Sequence, residues 1–125
     1  MFKVFLESYI DVCNNIVTES ANAVLMFEAG EQSAFNIKTS KIEDITEEFK
    51  KIGLTIFIKR DEKKVTFHLK GLTFTRKGCQ YCDILRGFFG GMARKHIDTR
   101  YYCKKGAECV VEGAEECIFV AELLE

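Results

Sequence analysis

The chain has 125 residues, 47% hydrophobic and 30% charged, and its 18 basic and 19 acidic side chains leave a formal net charge of -1. That size predicts a single domain, residues 1–125, with its own core, and the balance excludes intrinsic disorder. It also lacks the basic stripe with which nucleic-acid binders neutralise phosphates, so no direct nucleic-acid contact is expected.

In chain order, Phe5, Tyr9, Val12, Cys13, Ile16 and Val17 keep helical spacing, and apolar residues resume at Ala21, Val24, Leu25, Met26 and Phe27. The pattern predicts two helices or one bent helix, broken between Asn14 and Ser20, where Asn and Ser compete with helical backbone bonds, and stopped by Gly30. Cys13 reads as a core residue. The next helix is expected after Thr39-Ser40, striped by Ile42, Ile45, Phe49 and Ile52, with Gly53 as its C-cap. Leu54, Ile56 and Ile58, then Val65, Phe67 and Leu69, alternate with polar residues on either side of Arg60–Lys64, which predicts a β-hairpin with Phe57 on the outward phase.

From Gln80 to His96 the helical period returns, with Tyr81, Ile84, Leu85, Phe88, Phe89 and Met92 on one face and Asp83, Arg86 and Arg94 expected in water. Gly87 and Gly91 form an i, i+4 pair that admits another backbone, either from this chain or from a second copy. A strand near Asp98–Cys103, a cysteine-bearing turn and a last strand from about Cys117 to Leu123 complete the chain. The fold class is therefore α+β, with about three helices against an antiparallel sheet of about four strands. No run approaches the ~20 apolar residues that cross a bilayer. Residues Met1–Glu7 carry no signal-peptide pattern, so a soluble, cytoplasmic protein is expected.

Five of the six cysteines, Cys79, Cys82, Cys103, Cys109 and Cys117, fall in the last third of the sequence. In a reducing compartment such thiols read as ligands of a soft cation before they read as disulfides, and zinc takes about four of them. Cys79 and Cys82 stand one helical turn apart, and Gly113 allows Cys109 and Cys117 to reverse toward each other. With five candidates for four places, one of Cys79 and Cys103 is surplus. A zinc site closed by four protein ligands has no position for water or substrate, so the metal is expected to be structural and the protein non-enzymatic.

The string Cys82-x4-Gly87-x3-Gly91, followed by Cys109-x3-Gly113-x3-Cys117-x-Phe119, resembles the 4-vinyl reductase (V4R) domain, with the likeness spanning about residues 70–123. That family also includes the aromatic-sensing region of phenol-responsive bacterial transcription activators and many short archaeal proteins. The resemblance implies a fold shared with vesicle-tethering complex subunits, a small-molecule-binding role and a zinc held by three cysteines and a glutamate. Carried over, Cys82, Cys109 and Cys117 are the thiolate ligands. Gly106 stands where the glutamate would be, which leaves the fourth place to Cys79 or Cys103, with Glu108 a weaker candidate.

A hydrophobic or aromatic ligand would lie between Phe88 and Phe89 of the helix and the inner sheet face carrying Val65, Phe67 and Phe119, with Tyr101 as a polar handle. The principal expectation is a non-enzymatic module that binds or senses such a ligand and acts through a larger signalling partner. The alternative is a structural interaction module or homodimer with a filled core and no ligand.

Overall fold

In the computed structural model of this protein the described residues are 2–71, 81–105 and 116–124. Two helices come first, α1 (Phe2–Ile16) and α2 (Glu19–Asn36). The break between them falls where Thr18 takes an extended conformation and its side chain accepts from the Ala21 amide, an N-cap that starts α2 afresh. A 3-10 turn (Ile42–Asp44) leads into the short α3 (Ile45–Lys51), and Gly53 adopts a φ of 82° just beyond it, where a side chain would be strained. Then follow β1 (Thr55–Arg60), β2 (Lys64–Lys70), α4 (Tyr81–His96), β3 (Tyr101–Lys105) and β4 (Glu116–Leu123).

All strand pairs are antiparallel and the order is β1-β2-β4-β3, so β4 fills the gap between a hairpin and β3. Alternation puts Ile56, Val65, Phe67, Leu69, Cys117, Phe119 and Ala121 on the buried face, with Tyr101 and Cys103 beside them. Helix α4 covers that face: the Phe89 ring stacks on Phe67 at 4.5 Å between centroids and leans on Phe119 at 5.2 Å. Phe49 of α3 closes the layer against Phe88 and Phe89 at 5.7 and 5.8 Å. Among the described residues no element covers the opposite sheet face, and Phe57 stands on it as its outward phase predicts.

Gly30 does not stop α2; the helix runs on through it for six residues, because the missing side chain lets α4 approach. A Cβ at Gly30 would lie 2.8 Å from the Ile84 carbonyl carbon and 2.9 Å from the Phe88 nitrogen. On α4, a Cβ at Gly87 would overlap the Phe27 carbonyl, and one at Gly91 would lie 2.8 Å from the Ala34 Cβ. The small pair on α4 thus seats α2 of the same chain. Successive contacts rise together along both helices, so the two run parallel.

Two further expectations are corrected. Arg86 and Arg94 do not simply face water. Arg94 pairs with Glu31, while the Arg86 guanidinium lies 5.0 Å over the Phe27 ring, so both span the α2–α4 seam. Ile52 leaves its stripe and is exposed, because α3 ends at Lys51. The last turn of α4 completes the seam, with the Lys95 ammonium donating to the Ala34 and Ile37 carbonyls at the end of α2. Among the described residues, no helix is long and apolar enough to cross a membrane.

Candidate functional site

Two of the five clustered cysteines, Cys79 and Cys109, lie outside the described residues, as does Glu108. The other three are placed by regular elements. Cys103 pairs with Ala121 across the β3–β4 ladder, whereas Cys117 pairs with Leu69 across the β2–β4 ladder. Four residues of β4 separate Ala121 from Cys117, ~13 Å at the usual strand rise. Thiolates that share one ion must sit within a few ångströms of it. Cys103 and Cys117 therefore do not come together, and the ladder withdraws Cys103 from the places open to a fourth ligand.

Cys103 has a packing role instead. It faces the bare α-carbon of Gly90, where an added Cβ would stand 3.0 Å from the Cys103 Cβ. Burial pushes its thiol up to about 12, against the opposing pull of Arg86 and Arg94, so it stays protonated in this setting.

Cys82 and Cys117 share one end of the fold. After Asp98 the chain turns back along α4, which brings Cys103 to Gly90, and β4 reverses again. From Gly90, eight residues toward the start of α4 reach Cys82, ~12 Å away. That matches in direction and length the step from Ala121 to Cys117. The contact of Phe89 with Phe119, one and two residues along the same paths, agrees. Cys82 is half-buried against the core cluster and Cys117 is fully buried. In the sequence, Cys79 is three residues before Cys82, and Cys109 is four residues beyond the last residue of β3. Among the described residues no group of three or more His, Cys, Asp or Glu is placed to hold a metal ion.

The expected ligand wall is found as one packed layer. Phe67, Phe89 and Phe119 are 0% exposed and in direct ring contact, Phe88 packs on Phe89 at 5.7 Å, and Tyr101 is buried beside them. The residues chosen from sequence do converge, but on each other.

A concavity missed by the sequence reading lies on the far side of α2. It has a volume of ≈ 380 Å³ and is lined by Tyr9 and Cys13 of α1, by Leu25, Met26, Ala29 and Ser33 of α2, and by Ile84 of α4. Cys13 is thus a half-buried groove residue and not a core one. Its hydrogen bond with the Tyr9 hydroxyl holds that phenol above its ordinary range. Tyr9 and Leu25 of the groove are exposed, as are Val12 and Ile16 on the Tyr9 face of α1, Ile16 by 76%; Val24 and Phe35 are exposed on a different face of α2. The sequence signal was there: the stripe Tyr9, Val12, Ile16 has helical spacing, but spacing alone does not say what covers a stripe.

No protein-family model and no curated protein sequence matches the chain. Among solved structures, a vinyl-4-reductase family protein from Methanocaldococcus jannaschii superimposes with a TM-score of 0.70 over 99% of this chain and 80% of that one, at 16% identity. This chain has the vinyl-4-reductase fold. The likeness extends over α1, α2 and the hairpin, which the V4R motif did not reach, and it bears out the α+β expectation with four helices where about three were expected.

Proposed function

We propose that this vinyl-4-reductase-fold chain is a non-catalytic assembly module that forms a homodimer through the outer face of α1 and α2. The observation that carries the reading is the contrast between a filled aromatic layer and an apolar surface left exposed on those helices, with Ile16 76%, Tyr9 60% and Val12 55% exposed on α1 and Leu25 47% exposed on α2. An exposed patch of this kind marks an interaction site, and a two-fold contact would bury the same stripe twice. The groove beside it favours a second reading, in which a hydrophobic small molecule occupies the space between Tyr9, Leu25 and Ile84.

A structural zinc belongs to this reading at the cysteine end. Cys82 of α4 and Cys117 of β4 share that end, and with Cys79 and Cys109, which stand three and eight residues from them in the sequence and lie outside the described residues, they would hold it. When bound, the metal keeps its thiolates deprotonated and cross-links α4 to β4. The residues do the rest: Cys82 fixes the start of the helix that seats α2, and Cys117 anchors the central strand.

Light scattering coupled to size exclusion, with native mass spectrometry of gently extracted protein, tests the proposal. The expected result is a dimer of twice 14.3 kDa with no added mass beyond bound zinc. A monomer at micromolar concentration would overturn the dimer, and a co-purified hydrophobic molecule would establish the second reading.

A further inference from the structure

The open face of the sheet carries a recess of its own. It has a volume of ≈ 310 Å³ and is lined by Thr55, Phe57, His68, Lys70 and Glu116. That volume stands at the lower end of the ~300–1,000 Å³ typical of small-molecule sites. The register explains why five residues from three strands meet there: Thr55, Lys70 and Glu116 form one row across β1, β2 and β4, and Phe57 and His68 pair in a neighbouring row.

The chemistry in the recess is directional. Nδ1 of His68 lies 3.1 Å from the Glu116 carboxylate, with both side chains mostly covered at 27% and 19% exposure. A carboxylate can only accept, so this contact favours the tautomer with its proton on Nδ1, in which Nε2 carries the lone pair. The Phe57 ring is 64% exposed and meets the imidazole edge-on at 6.0 Å, presenting a flat apolar wall. Lys70 lies between Thr55 and Glu116, and His68 is two residues from it on the same face, ~7 Å away by strand rise.

We propose that this recess binds a small planar carboxylic acid carrying a proton donor at the opposite end of its ring. The carboxylate sits against the Lys70 ammonium and the Thr55 hydroxyl, on the side away from Glu116. The flat body lies on Phe57, and the distal hydroxyl or N–H donates to Nε2 of His68. A para-substituted six-membered ring has about the span that Lys70 and His68 set.

The test is a titration of the full chain with 4-hydroxybenzoate, followed by NMR of the imidazole resonances. The chain has 2 His, and His96, bonded to Thr39 at the end of α4, is the internal reference. A saturable shift of His68 alone is expected. Lys70→Ala, which removes the charged partner of the carboxylate, should weaken binding by about tenfold. Phe57→Ala should weaken it as well, and both positions are exposed, so the fold is retained. Acetate and phenol, each with half of the recognition chemistry, should bind more weakly than 4-hydroxybenzoate. No saturable shift, equal movement of both histidines, or an unchanged affinity in Lys70→Ala would overturn the proposal. None of these results bears on the dimer, whose surface is on α1 and α2.

Discussion

Helix α2 meets two environments. On one side Gly30 and Ala34 bring its backbone against α4, where the Glu31–Arg94 pair and the Lys95 ammonium complete the seam. On the other side Leu25 is about half exposed beside an α1 that shows Tyr9, Val12 and Ile16 to solvent. The first contact is specified by shape, since a single methyl group would separate the helices. The second is specified only by polarity, and it is the side on which the proposed dimer would form.

The contrast breaks first at the seam. Gly87→Val puts a branched side chain into the Phe27 carbonyl and should cost about 3 kcal/mol or more, read as a lost or greatly lowered denaturation midpoint. A variant as stable as the parent would mean that the helices are not in backbone contact.

Next in size are the two buried cysteines. Cys117→Ser should release zinc by elemental analysis and cost about 2 kcal/mol from its buried hydroxyl alone, whereas Cys103→Ser should keep the metal. Equal metal loss in both would refute the separation set by the ladder.

Ile16→Glu sharpens the other side of α2. The change should convert the dimer to a monomer while the monomer's own stability moves by no more than about 0.5 kcal/mol, as at ordinary surface positions. An unchanged solution mass would place the interface elsewhere.

The smallest effect is at Asp98, in the turn that follows α4. Hydrogen bonds from the Arg100 side chain and backbone lower its carboxyl from 3.8 to about 2. A carboxyl depressed in the folded state stabilises above its unfolded value and loses that contribution as pH falls through its folded value. The thermal midpoint of the parent should therefore exceed that of Asp98→Asn above pH 4, with the gap closing by about pH 2. A gap that persists at the lowest pH would assign the effect to something other than the charge.

The hairpin and α4 were legible in the sequence because their periods are strict and their turn residues local. The start of α2 was legible too, but its run past Gly30 was not, since Gly30 carries a propensity cost that only the approach of α4 offsets. The pattern Gly30-x3-Ala34 matches Gly87-x3-Gly91, and reading the two small pairs together would have found the seam. Likewise, Cys103 and Cys117 are near in the sequence but are parted by strand register, which depends on pairing partners far along the chain. Phe67, Phe89 and Phe119 were found as a group, and only their ring-to-ring distances distinguish a packed layer from a lined cavity.

Strand order also governs how the molecule can be made. Because β4 lies between β2 and β3, the growing polypeptide holds a local hairpin and a stranded neighbour with an open slot until residues 116–123 leave the ribosome. Synthesis therefore leaves the β4-facing flank of Lys64–Lys70 unpaired while residues 71–115 are made, and the step that shields it is also the one that assembles the whole sheet.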